Sequence, residues 1–135
     1  MLVPTDGSEL SQKAMLKAVT LAKALAAPPA TPIIYRHNLP VGYAQPEEHQ
    51  KLIDEATAIT LGFVDKTCKD AGVAFAGIHA TSDFPEDKIL KVVECQGCDL
   101  IVIGTHDHSG LRGALIGSVA QKVLNKATVP VMVFR

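Results

Sequence analysis

Four consecutive residues, Leu100-Ile101-Val102-Ile103, are apolar, so any strand they form is apolar on both faces. A strand of that kind needs cover from both sides, which is the situation of a central parallel strand with helices above and below. The rest of the chain supplies what such a strand requires. Leu2 to Thr5 reads as a first short strand, Ile33 to His37 as a second, Val73 to His79 as a third, Asp99 to Gly104 as the fourth and Val129 to Arg135 as a fifth. Between them lie stretches with helical periodicity. Ala14, Leu16, Ala18, Val19, Ala22 and Leu25 give the first its apolar side, with Ser8 or Ser11 as cap and Pro28-Pro29 as stop. A long helix starts near Glu47 and places Leu52, Ile53, Ala56, Ile59, Phe63, Val64 and Ala71 on one face, and Gly72 closes it. Glu86 to Gln96 buries Ile89, Leu90, Val92 and Val93, and Ser118 to Lys126 forms the last helix.

Strands separated by single helices pair in parallel through right-handed crossovers. The expectation is one α/β domain over residues 1–135, a doubly wound five-stranded parallel sheet in the order 3-2-1-4-5. Its winding reverses between strands one and four, and ligands of such sheets sit beyond the carboxyl ends of the strands at that reversal. Asp6 ends strand one and Gly104 ends strand four, so the two turns that follow them are expected to share one crevice.

The second of those turns reads GTHDHSGLRGALIGS, from Gly104 to Ser118. Glycines at 104, 110, 113 and 117 ahead of a helix are suited to presenting backbone amides to an anion. Ser118 adds a hydroxyl, and Arg112 is the loop's only cation. Bulk properties narrow the class of ligand. A formal net charge of −1 argues against a nucleic-acid binder held by phosphate neutralisation, and 4% aromatic residues leave few platforms for stacking bases. No apolar run is long enough to span a membrane, and Leu2-Val3-Pro4 already reads as strand, so no signal peptide is expected.

Three stretches together, LVPTDGSELSQKA, CDLIVIGTHDHSGLRGALIGSV and ATVPVMVF, resemble the universal stress protein family, and the resemblance runs the length of the chain. It implies an adenine nucleotide alpha hydrolase-like, Rossmann-like fold, a cytoplasmic homodimer acting in the stress response, and ATP bound through G-x-x-G-x9-G-[S/T]. Carried over by position, Gly104, Gly117 and Ser118 match the phosphate motif. Asp6 matches the acid near the ribose and adenine, and Val41 falls near the adenine. The second motif glycine is replaced by Asp107. If that position needs a positive φ, a non-glycine residue costs about 1–2 kcal/mol. A carboxylate ~4 Å from a phosphate charge costs about 4 kcal/mol at an effective dielectric near 20. ATP binding then requires Asp107 to turn outward or a Mg²⁺ to bridge it to the phosphates. The alternative is a nucleotide-free dimeric interaction protein whose loop Asp107 has disabled.

Other motifs carry blander readings. Cys95-Gln-Gly-Cys98 closes a helix instead of opening one, which does not favour a thiolate, and no second pair completes a zinc site. With Cys68 the count is odd, as expected of free thiols in a reducing compartment. His106 and His108 flank Asp107, and His79 ends strand three, without an evident third metal ligand. Ser8, Ser109 and Ser118 lack a G-x-S-x-G elbow, and neither G-x-G-x-x-G nor G-x-x-x-x-G-K-[ST] occurs. Enzymatic activity is therefore expected to be at most slow ATP hydrolysis, or adenylate transfer, with only His106, His108 and Arg112 to assist. Pro130 lacks the ladder donor and suits an edge strand, and an apolar edge at VPVMVF is expected to pair with its own copy across a two-fold axis.

Overall fold

The computed structural model describes residues 1–25, 31–36, 46–105 and 116–135. Its elements run β1 (Leu2–Thr5), α1 (Glu9–Ala24), β2 (Thr31–Arg36), α2 (Pro46–Ala71), β3 (Ile78–Thr81), α3 (Pro85–Gln96), β4 (Ile101–Gly104), α4 (Ser118–Lys126) and β5 (Val131–Phe134). The strands form a parallel sheet in the order β3-β2-β1-β4-β5. The Pro28-Pro29 stop and the loop after His37 lie outside the described residues, as do Val41 and positions 106–115.

Side-chain alternation in the two central strands distributes the core. Leu2, Ile101 and Ile103 point to one face and meet Ile89, Val92 and Val93 of α3 and Ala120 and Val123 of α4. Val3 and Val102 point to the other and meet Met15, Ala18, Val19 and Ala22 of α1 and Val64 and Cys68 of α2. This two-sided cover accounts for the apolar run at 100–103, of which Ile101 to Ile103 are buried.

The central pair is joined unevenly. The Leu2 amide donates to the Leu100 carbonyl at 2.7 Å, and the β1–β4 ladder holds the single register pair Leu2↔Ile101. The next amide of β1 on that side belongs to Pro4, which has no N–H, so the following rung towards the carboxyl ends cannot form. The β1–β4 ladder thus keeps its one register pair at the amino end and lacks the Pro4 donor towards the turns.

Several expected boundaries shift. β3 begins at Ile78 instead of Val73, because β2 meets it only from Ile33↔Ile78 onward. Val73 and Phe75 are instead partly buried against the α1–α2 cluster, with Phe75 in an isolated β-bridge ahead of β3. Leu16 on α1 and its C-cap Leu25 are exposed, and on α2, Leu52 and Ile59 are exposed. The buried stripe of α2 runs through Ile53, Thr60, Val64 and Cys68, and Leu52 and Ile59 each stand one residue, 100° of helix rotation, off it.

Candidate functional site

The β1–α1 turn is set by a series of hydrogen bonds. Asp6 Oδ1 accepts the Ser8 amide at 3.0 Å, and Ser8, the N-cap of α1, accepts the Ser11 amide on its hydroxyl at 3.3 Å. Proton counting orders the rest. The Ser11 hydroxyl donates its only proton to the Ser8 carbonyl at 2.9 Å. The 2.9 Å contact between Thr5 Oγ1 and Ser11 Oγ must then be a donation from Thr5. Thr5 Oγ1 in turn accepts the Gly7 amide at 3.3 Å, and the Gly7 carbonyl accepts Gln12 Nε2 at 3.0 Å. Gly7 occupies a left-handed conformation, φ 81°, and a Cβ there would stand 2.7 Å from Thr60 Oγ1 on α2. The turn therefore requires glycine twice over, for its backbone angle and for the space α2 leaves it.

The β4 turn meets this one from the side. The Leu2↔Ile101 pair precedes Thr5 and Gly104 by three residues each, and Asp6 and Thr105 by four. A Cβ on Gly104 would lie 3.0 Å from the Leu10 carbonyl oxygen and 3.3 Å from Ser11 Cα. The end of β4 thus rests on the first turn of α1, and the absence of a side chain at 104 is what lets the two turns approach. Thr105 is buried, donates its amide to the Phe134 carbonyl at 2.9 Å and accepts the Gly117 amide on its hydroxyl at 2.6 Å. Gly117 is the N-cap of α4 and, having no side chain, offers no cap of its own. The Thr105 hydroxyl holds the start of α4 in place of one. The amides of Ser118, Val119 and Ala120 then stand at the helix terminus without intrahelical acceptors, as in any α-helix.

Of the residues singled out by sequence, Asp6, Gly104, Gly117 and Ser118 thus belong to turns at one carboxyl edge of the central strands. Val41 and Arg112 lie outside the described residues, as do His106, Asp107, His108 and Ser109. Thr5 and Thr105 were not foreseen, and Ser11, expected as an alternative cap, instead bonds the Ser8 carbonyl and Thr5. The signal of the two threonines is a hydroxyl residue at the last position of an apolar strand or just past it, where a buried polar side chain serves a turn. His79 lies within β3 and reaches Thr57 Oγ1 through Nε2 at 3.3 Å. Cys68 and Cys98 are buried and Cys95 is exposed, all three as free thiols. Burial, with Asp65 nearby, pushes the Cys68 thiol above its ordinary pKa. Among the described residues no cluster of three His, Cys, Asp or Glu side chains could hold a metal, and no helix is long and apolar enough to cross a membrane.

Behind the site, α3 and α4 are clasped together. Glu86, nearly fully buried in the first turn of α3, accepts Lys122 Nζ at 3.0 Å, and Asp87 accepts Lys126 Nζ at 2.7 Å. Burial raises the Glu86 pKa, but bonds from its own amide and from Lys122 outweigh this and leave it below the ordinary value.

Comparison with known proteins agrees with this fold. The family model described as the universal stress protein family matches residues 1–135. Universal stress protein YxiE of Bacillus subtilis is 32% identical over 145 residues, spanning 100% of this chain and 97% of the relative. The structure of the universal stress protein from Archaeoglobus fulgidus in complex with dAMP is similar with a TM-score of 0.67 at 23% identity, covering 99% of this chain and 95% of that one. A universal stress protein family protein from Arabidopsis thaliana with AMP bound gives a TM-score of 0.66 at 20% identity, covering 98% and 88%. This chain belongs to the universal stress protein family.

Proposed function

We propose that this protein binds an adenine nucleotide, ATP in the first instance, at the carboxyl edge shared by the β1 and β4 turns. The observation that carries the reading is their convergence: Asp6, Gly104 and the α4 terminus at Gly117-Ser118 are brought to one edge by the β1–β4 pairing and the Thr105 bond. Relatives solved with dAMP and AMP support the ligand class. In this reading Asp6 holds the ribose side, Val41 packs near the adenine, and Gly104, Gly117 and Ser118 face the phosphates. Arg112 approaches the terminal phosphate. Helix α4 contributes roughly 0.3–1 kcal/mol through its dipole. A Mg²⁺, if it accompanies ATP, is held mainly by phosphate oxygens.

The role is that of a cytoplasmic stress-response binding protein, with at most slow ATP hydrolysis. Nucleotide occupancy changes the surface that residues 105–116 offer a partner. Two copies join through β5, whose position at the end of the sheet order and half-exposed Met132 suit pairing with a second copy. A clean monomer by light scattering at micromolar concentration would count against that dimer.

Asp107 in place of the motif glycine favours a second reading, a nucleotide-free interaction protein of the same family. Titration calorimetry with ATP and Mg²⁺ on the wild type and on Asp107→Gly separates the two. Heat from the wild type supports nucleotide binding, heat only from the variant assigns the loss to the acid, and silence from both supports the second reading.

A further inference from the structure

The outward face of α2 carries a glycine that its own helix does not need. Leu52, Glu55, Ile59, Gly62 and Lys66 follow one another at three- and four-residue steps, so they share one face, turned away from the buried stripe of Ile53, Thr60, Val64 and Cys68. All five are exposed, and Ile59, at 73%, is the most exposed large apolar side chain among the described residues. Gly62 stands in the interior of a 26-residue helix, where glycine is unfavourable because its backbone has the most freedom to lose. Nothing described in the chain asks for it: its φ is not positive, and a Cβ there would meet nothing within 4 Å. A bare stretch of helix backbone beside an uncovered isoleucine suits the close approach of a second helix.

The spacing identifies that helix. Ile59 and Gly62 stand symmetrically about a point between Thr60 and Leu61, and Glu55 and Lys66 stand symmetrically about the same point. Two copies of α2 laid antiparallel across a two-fold axis at that point set each Ile59 against the partner's Gly62 and each Glu55 against the partner's Lys66. The large side chain meets the bare backbone and the acid meets the base, twice over. A parallel arrangement sets each charge against its own copy. Lys66 lies 3.3 Å from Asp70 of its own helix and is 82% exposed, so its ammonium keeps donors for a second carboxylate.

We propose that this face of α2 docks a second copy of the chain, antiparallel, through Ile59–Gly62 and Glu55–Lys66 contacts. The contact is independent of the nucleotide reading. It is also distinct from pairing through β5, which lies at one end of the sheet order while α2 leads into β3 at the other.

The test is sedimentation equilibrium at about 100 µM protein, a concentration suited to the small area of a single helix pair, on the wild type, Ile59→Glu, Glu55→Lys, Glu55→Lys with Lys66→Glu, and Gly62→Leu. The wild-type mass should be halved in I59E. E55K opposes like charges twice and should raise the dissociation constant about tenfold or more, while the double variant restores both pairs with reversed signs and should return within about threefold of wild type. G62L should also dissociate, yet its separated chain should melt no lower than that of I59E, since leucine is the better helix former and the fold leaves it room. If β5 pairs two copies as well, the halving runs from four copies to two instead of from two to one, which reads the two contacts apart. A monomeric wild type, an unchanged mass in I59E or G62L, or a double variant as dissociated as E55K overturns the proposal.

Discussion

Gly104 is placed at the phosphates in the proposed site, yet its surroundings give it a task that needs no ligand. An alanine there would place Cβ 3.0 Å from the Leu10 carbonyl oxygen, 3.2 Å from the Leu10 carbonyl carbon and 3.3 Å from Ser11 Cα. All three are backbone atoms of the first turn of α1, so no rotamer change relieves the contact. That turn is itself held by the Ser8 cap, the Thr5–Ser11 hydroxyl pair and the Gln12 bond to Gly7, so a shift of a few tenths of an ångström strains several bonds at once. Overpacking of this kind costs about 1–3 kcal/mol. Gly104 does not have a positive φ, so alanine also recovers ~0.4–1 kcal/mol by restricting the unfolded chain. The net expectation for Gly104→Ala is a loss of about 0–2.6 kcal/mol, centred near 1.3, in urea unfolding, with an unchanged denaturant slope. A variant more stable than wild type would refute the argument that β4 is packed against α1 at this point. Nucleotide affinity lost in G104A should accordingly be credited first to displacement of the two turns, not to a lost ligand contact.

Other outcomes follow from the same contacts. Gly7→Ala combines a left-handed φ with the 2.7 Å approach to Thr60 and should cost about 2–4 kcal/mol; adding Thr60→Ala should return the steric part only, which a double-mutant cycle reads directly. Lys122→Met strands the buried Glu86 carboxylate and should cost about 1–2 kcal/mol at pH 7, moderated by the half-exposed lysine, whereas Lys126→Met, opposite a well-exposed Asp87, should cost less. The folded-state pKa of Glu86 is lowered, so the stability it contributes is present above the unfolded carboxylate value of about 4.3 and lost as pH falls through the folded value. The gap between wild type and K122M in urea midpoints should therefore narrow below about pH 4. Thiol labelling of the native protein should modify Cys95 rapidly and reach Cys68 and Cys98 only on unfolding; equal rates at all three would contradict the burial of the latter two.

The class of fold was legible because a strand apolar on both faces can be covered only by helices on both sides, and residues 100–103 say so directly. The positions of Asp6 and Gly104 at one edge followed from the topology expected of such strands. What sequence did not disclose was finer. Leu52 and Ile59 recur seven apart as core residues do, but only the helix's rotation against α1 and the sheet decides which of two adjacent apolar stripes is covered. Val73 and Phe75 announced burial without announcing whether ladder or packing would bury them. Glu86 looked like one more acid at a helix start, and its burial depends on Lys122, thirty-six residues away. Thr5 and Thr105 were hidden for a related reason: a hydroxyl that closes a turn is identified by its partner, and their partners come from the next element.

The central claim is that two turns separated by almost a hundred residues serve one adenine nucleotide. An amide NMR titration with AMP tests it most directly. The account predicts that resonances of Asp6 and Gly7, of Gly104 and Thr105, and of Gly117 through Val119 move together with one dissociation constant. Movement confined to one turn, or no movement at saturating AMP, would contradict it.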